Sequence, residues 1–178
     1  MPTHQDRYKS VVIPVLKNKY IVVEDKTYKE LTFVVGGCKL REIGGSMLTK
    51  NRFEKDYSVF KKCALRELEE ETRGALGNIH PLQLRPAFKF SSRDRSHAEL
   101  KKDFKENVIV TMRYTVFYLF LDDQDFSVIQ RRFNRGPKNT RNQRETKAIL
   151  LVSKSELVNN TKGKMWRFMK EYVLPRIK

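Results

Sequence analysis

The longest apolar stretch of the chain lies within NVIVTMRYTVFYLFLDD, residues 107–123. Its uninterrupted part, TVFYLFL at 115–121, is far too short to cross a bilayer and predicts a long buried strand. Further β-branched or apolar runs predict the remaining strands, at 9–16, 20–25, 31–35, 82–90 and 147–153. Helical patterns at about 56–73 and 164–174 predict helices packed on this sheet. We therefore expect one α+β domain over residues 1–178.

The charge of the chain is its strongest global property. Its 178 residues carry 37 Lys and Arg against 21 Asp and Glu, a net charge of +16, which favours a polyanionic partner such as nucleic acid. The two cysteines, Cys38 and Cys63, show no metal-ligand spacing with the three histidines, and this usage is typical of a reducing, intracellular setting. The first ten residues lack the apolar segment of a secretory signal, so a cytoplasmic protein with no membrane partner is expected. The oligomeric state is not predicted.

An acidic stretch, CALRELEEETRGAL at 63–76, lies on the predicted helix at 56–73. Glu67, Glu70 and Glu71 are spaced i, i+3 and i+4, which places three carboxylates on one helical face. Carboxylate oxygens are the ligands that Mg²⁺ and Mn²⁺ prefer. The same spacing also occurs on solvated helices whose glutamates pair with nearby lysines and arginines, so spacing alone leaves both interpretations open.

The stretch resembles the core of the Nudix box, G-x5-E-x7-R-E-U-x-E-E-x-G-U, where U is a bulky aliphatic residue. The matching residues are Arg66, Glu67, Leu68, Glu70 and Glu71. A predicted strand ending in Gly36-Gly37 precedes the helix, as in that family. Counting back from the arginine places the box glutamate on Ser58 and the box glycine on Arg52, and the glycine after the helix falls on Arg73. The resemblance implies a Nudix-type α/β/α sandwich, with a mixed sheet between helices.

The resemblance also implies roles for individual residues. Glu67, Glu70 and Glu71 would hold Mg²⁺ or Mn²⁺, and Glu70 would take part in catalysis. Arg66 would orient these carboxylates. Glu145, just before the last predicted strand, would be a general base or a further metal ligand, and a surface glutamate is the alternative. Gly36 and Gly37 would approach the substrate phosphates.

A basic tract at residues 130–147 leads into Glu145. Its candidate substrate-binding residues are Arg131, Arg132, Arg135, Lys138, Arg141 and Arg144. Such a tract suits RNA phosphates, although it is also compatible with a mobile basic loop. Lysines at 61, 62, 101, 102 and 105 would extend the same surface.

A metal site beside an RNA-binding surface predicts hydrolysis of the mRNA 5′ cap, with release of methylated GDP and 5′-monophosphate RNA. The chain is similar to decapping Nudix enzymes of large DNA viruses, of the poxviral and African swine fever virus types, which implies a role in the host cytoplasm. A decapping enzyme also needs an aromatic ring to stack on the cap base, for which Phe133, Tyr114 and Phe88 are candidates. Two alternatives stay open. One is a Nudix hydrolase of a small anionic substrate, a diphosphoinositol polyphosphate or dinucleoside polyphosphate. The other is a non-catalytic RNA-binding protein with the Nudix fold.

Overall fold

A computed structural model describes residues 3–44, 50–92, 105, 107–121 and 124–177. Within these residues the strands are β1 Thr3–Leu16, β2 Lys19–Asp25, β3 Leu31–Thr32, β4 Val34–Gly37, β5 Leu84–Ser92, β6 Val108–Phe120 and β7 Thr146–Val152. The α-helices of the same residues are α1 Lys50–Lys55, α2 Lys61–Thr72, α3 Phe126–Arg135, α4 Arg141–Glu145, α5 Lys154–Val158 and α6 Arg167–Tyr172. Short 3₁₀ helices lie at Leu40–Glu42, Ser58–Phe60, Pro81–Gln83 and Leu174–Arg176.

One mixed sheet forms the centre of the molecule, in the order β3-β2-β1-β6-β5. β1 and β6 run parallel, with partners from Thr3–Val108 to Val15–Phe120, whereas the other pairings are antiparallel. β4 pairs with β1 and β7 pairs with β2. The predicted strand at 31–35 is therefore two short strands that pair with different neighbours, because β3 pairs with β2 and β4 with β1.

The sheet buries apolar side chains on both faces. One face packs with α2 and α3 through residues such as Phe60, Leu68 and Phe133. The other face packs with α5 and α6 through residues such as Leu157 and Phe168. The predicted α+β arrangement, a mixed sheet between helices, is confirmed.

Three further predictions about helices need correction. The helix expected at 56–73 is α2 preceded by a 3₁₀ turn, where the Asp56 carboxylate accepts hydrogen bonds from the Ser58 amide at 3.0 Å and hydroxyl at 2.6 Å. The basic tract is largely helical, because α3 and α4 occupy most of it. The alternative of a mobile loop was therefore wrong. The C-terminal helix is shorter than expected and continues as the 3₁₀ turn Leu174–Arg176.

The segment between β4 and α2 is attached to the sheet by Lys89 of β5. The Lys89 ammonium donates to the carbonyls of Phe53 and Asp56, the latter at 2.8 Å, at the end of α1. It also lies against the rings of Phe53, Tyr57 and Phe60, and burial lowers its pKa to about 8. Residues 45–49 of this segment lie outside the described residues.

The two cysteines form a disulfide between the residue after β4 and the first turn of α2, with their Cα atoms 5.2 Å apart. This bond was not predicted from the sequence, whose cysteine usage is typical of a reducing setting. No helix among the described residues is long and apolar enough to cross a membrane.

Candidate active site

The acidic face of α2 points toward the end of β4. Leu68 anchors the helix in the core, and Glu67 is turned inward with 4% of its surface exposed. Glu70 and Glu71 are partly buried, whereas Glu69 is exposed to solvent. We refer to Glu67, Glu70 and Glu71 as the box carboxylates. The structure therefore separates them from Glu69, which the i, i+3, i+4 spacing also excludes from their face.

Gly36 makes room for the most deeply buried of these carboxylates. A Cβ added at Gly36 would lie 1.9 Å from Cδ and 2.1 Å from Oε2 of Glu67, so the Glu67 side chain would have to move away. At Gly37 an added Cβ would meet nothing within 4 Å. The first glycine is thus required by the close approach of Glu67 to the β4 backbone, whereas the second is not required by packing.

Arg66 is held mainly by a residue that the sequence analysis did not identify, Glu42. Its Nε lies 2.9 Å from Oε2 of Glu42, and its second terminal nitrogen lies 3.0 Å from Oε1, a bidentate pair. The same guanidinium donates to Oε1 of Glu67 at 2.8 Å and to the Gly37 carbonyl at 2.8 Å, and lies 3.6 Å from Oε2 of Glu70. Arg66 therefore fixes the glycine segment and two carboxylates relative to each other, as the orienting role requires.

The Glu42 contact corrects the alignment of the box. Gly36 and Glu42 are separated by five residues, which is the G-x5-E spacing, so this half of the pattern is intact. The departure lies between Glu42 and Arg66, where 23 residues stand in place of seven. The assignment of the box glutamate to Ser58 and the box glycine to Arg52 was wrong, because it placed the extra residues before the glutamate. The G-x5-E spacing was the signal that could have identified Glu42.

The electrostatics of the site separate Glu42 from the box carboxylates. Burial opposes the charge of Glu42, but hydrogen bonds from Arg66 and the Lys39 amide outweigh it and lower the Glu42 pKa. Burial raises the pKa of Glu67 despite its contact with Arg66. The pKa of Glu71 is raised well above its usual range, first by burial and then by the charges of Glu67, Glu70 and Glu145. The site thus has more negative charge than its own cations compensate.

This excess of carboxylate charge fits a divalent metal ion. Within the described ranges, no group of three or more His, Cys, Asp or Glu side chains is already arranged around one metal position. The donor type is nevertheless right, because carboxylate oxygens on one helical face are hard ligands, and a bound cation would offset the burial that raises the pKa values of Glu67 and Glu71. The box carboxylates are the residues that would hold Mg²⁺ or Mn²⁺.

Glu145 lies close to this face, as the sequence predicts. It is the last residue of α4 and lines a pocket together with Glu71, Asp25 and Thr146. Its Oε1 accepts from Nε of Arg141 at 2.7 Å. The structure therefore brings the fourth predicted acid to the box carboxylates and gives it an arginine partner that the sequence analysis assigned to substrate binding.

The predicted cationic residues of the basic tract are exposed. Three lie on α3 (Arg131, Arg132 and Arg135), Lys138 lies in the following loop, and two lie on α4 (Arg141 and Arg144). Arg144 also donates to the Asn139 carbonyl at 2.8 Å, which helps to hold α4. Of the lysines expected to extend this surface, Lys62 and Lys105 are exposed, and residues 101 and 102 lie outside the described part.

The aromatic residues considered for the cap base do not form an open stacking site. Phe133 and Tyr114 are each 1% exposed and belong to the core, so neither can contact a base in this structure. Phe88 is partly buried, and the Arg176 guanidinium lies 5.2 Å from its ring centre.

Arg73 stands at the position of the second glycine of the Nudix pattern. It adopts the left-handed conformation, with φ 53° and ψ 36°, as the C-cap of α2. Glycine takes this conformation most easily, so the backbone has kept the shape of the pattern although the residue has changed. Arg73 is also 8% exposed, which makes its side chain part of the interior.

No family model matches the chain, and no curated protein is similar to it. The fold, however, is similar to those of solved Nudix hydrolases. The MutT Nudix hydrolase from Burkholderia pseudomallei has a TM-score of 0.55 at 11% identity, over 98% of this chain and 99% of that chain. The dihydroneopterin triphosphate pyrophosphohydrolase of E. coli has a TM-score of 0.52 at 14% identity, over 96% of each chain. The Bacillus halodurans MutT protein has a TM-score of 0.51 at 12% identity, over 94% of this chain and 82% of that one. At identities this low, the structural similarity establishes the fold alone. The Nudix-type sandwich predicted from the sequence is therefore confirmed.

Proposed function

We propose that the protein is a metal-dependent pyrophosphohydrolase that cleaves a nucleoside-diphosphate linkage. The observation that carries this proposal is the joint placement of Gly36, Glu42, Arg66 and the box carboxylates, which assembles both halves of the Nudix box despite the 23 residues between them. A non-catalytic protein would not need Glu67 buried against glycine and ion-paired with Arg66, which itself forms a partly buried pair with Glu42. The Nudix fold of the chain supports the same activity.

Each residue of the site has a defined part in this proposal. Glu67, Glu70 and Glu71 hold Mg²⁺ or Mn²⁺, and the bound metal supplies charge neutralisation for the pyrophosphate and acidification of a water. Arg66 and Glu42 keep Glu67 and Glu70 in place. Glu145 is the general base or a further ligand, since it lines the pocket beside Glu71.

The substrate that we propose is the 5′ end of capped mRNA, from which the protein would release methylated GDP in the cytoplasm. The net charge of +16 and the exposed arginines of α3 and α4, next to Glu145, support a long polyanion in preference to a free nucleotide. The resemblance of the box region to decapping enzymes of large DNA viruses supports the same choice.

The decisive experiment offers cap-labelled RNA to the protein with Mg²⁺ or Mn²⁺ and identifies the labelled product. Methylated GDP is expected from the wild type, and none from Glu70→Gln. Glu69→Gln is the matched control, because Glu69 is exposed on the same helix, and it should retain full activity. Inert RNA together with cleavage of a dinucleoside tetraphosphate would replace decapping by the small-substrate function. No cleavage of either would overturn the proposal.

The basic tract provides a second test, of the RNA partner. Charge reversal of Arg131, Arg132 and Arg135 should weaken capped-RNA binding and reduce the slope of log K against log salt by about 2 to 3, because each phosphate contact contributes about 0.7–0.9 to that slope. Binding is measured by fluorescence anisotropy between 50 and 200 mM salt.

The control reverses three exposed cations near the C-terminus, Lys162, Lys164 and Arg167, and so changes the net charge equally. An equal loss of binding in both triple variants would show that net charge, rather than the surface on α3, attracts the RNA.

A further inference from the structure

The Arg73 side chain connects the acidic helix to the segment that carries Glu145. Its Nε donates to the Gln143 carbonyl at 3.0 Å, and its terminal nitrogens donate to the carbonyls of Thr146 at 2.6 Å and Phe133 at 3.4 Å. The guanidinium carbon also lies 4.1 Å from the centre of the Phe133 ring. One buried side chain thus contacts the last turn of α3, the end of α4 and the first residue of β7.

Two of these three carbonyls flank Glu145 in the chain, at positions 143 and 146. The backbone on both sides of Glu145 is therefore attached to the residue that directly follows Thr72 at the end of the box helix. Glu71 and Glu145 line the same pocket, so the distance between the box carboxylates and the fourth acid depends on this attachment.

The turn that leaves α3 packs directly on Arg73. A Cβ added at Gly136 would lie 2.6 Å from Cβ and 2.8 Å from the carbonyl oxygen of Arg73. Because Gly136 has no side chain, the C-terminal end of α3 can approach the C-cap of α2 so closely that their backbones pack against each other.

The hydrogen-bond partners of the buried Arg73 guanidinium are also unusual, because all three are backbone carbonyls. Within the described part of the chain, its guanidinium donates to backbone carbonyls and forms no ion pair with a carboxylate. A buried cation without a counter-charge is unfavourable for the fold unless its hydrogen bonds compensate. Three carbonyls at the ends of helices and at a strand start provide that compensation, since helix C-termini carry partial negative charge.

We propose that Arg73 is a positioning residue of the active site, which holds Glu145 and the cationic helices α3 and α4 against the box carboxylates. This inference rests on the proposed function. It assigns a role to the position at which the chain departs from the glycine of the Nudix box: the left-handed backbone is retained, and the side chain anchors the substrate-binding segment.

The test compares Arg73→Gly, Arg73→Lys and the wild type in single-turnover kinetics, with capped RNA and a dinucleoside tetraphosphate as substrates. Glycine retains the left-handed backbone, so the end of α2 should remain intact. We expect the single-turnover rate constant of Arg73→Gly to fall about 10- to 100-fold, because a misplacement of about 1 Å at a reacting group can cost a hundredfold. Lysine restores the charge but not the three-way donation, so an intermediate rate is expected. Arg167→Ala, an exposed arginine on α6, is the control and should leave the rate unchanged.

A double-mutant cycle with Glu145→Gln separates positioning from general destabilisation. If Arg73 acts through Glu145, Arg73→Gly should change the rate less than about twofold in the Glu145→Gln background. Thermal melts of each variant report whether it is folded at the assay temperature. If Arg73→Gly is unfolded, the cycle is made with Arg73→Lys.

The results can be assigned to one proposal or the other. An active wild type with an equally active Arg73→Gly overturns the positioning role alone. An equal loss in both backgrounds also overturns it, because the effect would not pass through Glu145. A wild type that cleaves neither substrate overturns the proposed function itself.

Discussion

The acidic helix α2 carries one arginine near its middle and another at its C-terminal end, and the two are held in opposite ways. Arg66 is surrounded by carboxylates, with two contacts to Glu42 and one to Glu67. Arg73 is surrounded by backbone carbonyls and the Phe133 ring. Hydrogen bonds to Glu42 raise the pKa of Arg66, whereas burial lowers that of Arg73.

The two arginines therefore attach the helix to the rest of the molecule in two different ways. Ionic contacts at Arg66 fix the charged ends of side chains, which is what a metal site needs. Carbonyl contacts at Arg73 fix whole backbone segments without placing another negative side chain near the box carboxylates. The first arrangement should be sensitive to the charge of its partners, and the second should not.

The largest effect should come from Gly36→Ala, which removes the space for Glu67 at the Arg66 end. Because the added Cβ would lie 1.9 Å from Cδ of Glu67, the carboxylate must move, and kcat should fall at least about 100-fold. Gly37→Ala is the matched control for packing, since an added Cβ there meets nothing within 4 Å, and its free energy of unfolding should stay within about 0.5 kcal/mol of the wild type. Wild-type activity of Gly36→Ala would contradict the packing role of Gly36.

The stability of Arg66→Met and Arg73→Met should differ in its dependence on pH. At pH 7, Arg66→Met should lower the free energy of unfolding by about 3 kcal/mol, because it leaves buried carboxylates without their cation. Arg73→Met should lower it by about 1–3 kcal/mol, because it leaves carbonyls without a donor. The measurement is urea unfolding of both variants and the wild type at pH 7 and pH 4.

The direction in which the stability loss of Arg66→Met changes with pH follows from Glu42, whose pKa in the folded protein is lowered from its ordinary value of 4.5. Its pairing with Arg66 stabilises the fold above that value, and this contribution is lost as the pH falls through the folded pKa. The loss in Arg66→Met should therefore shrink toward pH 4, whereas the loss in Arg73→Met should stay constant, because carbonyls do not titrate. The same pH dependence in both variants would remove the distinction between the two arginines.

A smaller effect is expected from Gly136→Ala, the counterpart of Gly36→Ala at the Arg73 end. The added Cβ would press on the Arg73 backbone and displace the turn after α3 without touching a box carboxylate. We expect a stability loss of about 1–3 kcal/mol, as for other overpacked sites, and a kcat decrease well below that of Gly36→Ala. A decrease in kcat as large as that of Gly36→Ala would mean that the two ends of the helix are not separate.

The sequence predicted the parts of this molecule that depend on local pattern. The apolar run at 115–121 predicted a strand, which is β6, and the i, i+3, i+4 spacing predicted that Glu67, Glu70 and Glu71 share a face. The first two features follow from periodicities of two and 3.6 residues, which the sequence carries directly. The placement of Glu145 near these carboxylates came instead from the resemblance to the Nudix family.

Contacts between residues far apart in the chain were not predicted from the sequence. Glu42 was missed because 23 residues separate it from Arg66, and Arg73 was treated only as a departure from the pattern. A guanidinium that binds carbonyls of residues 133, 143 and 146 has no signature in sequence, because carbonyls belong to every residue. The disulfide was not predicted either, since two cysteines 25 residues apart show no spacing that indicates pairing.

The central claim, that the box carboxylates form a metal site, is tested most directly by Mn²⁺ binding followed by electron paramagnetic resonance, without substrate. The wild type and Glu69→Gln should bind Mn²⁺ with the same affinity, whereas Glu70→Gln should bind it at least about tenfold more weakly. Equal Mn²⁺ affinity in all three proteins, or no binding by the wild type, would contradict the claim.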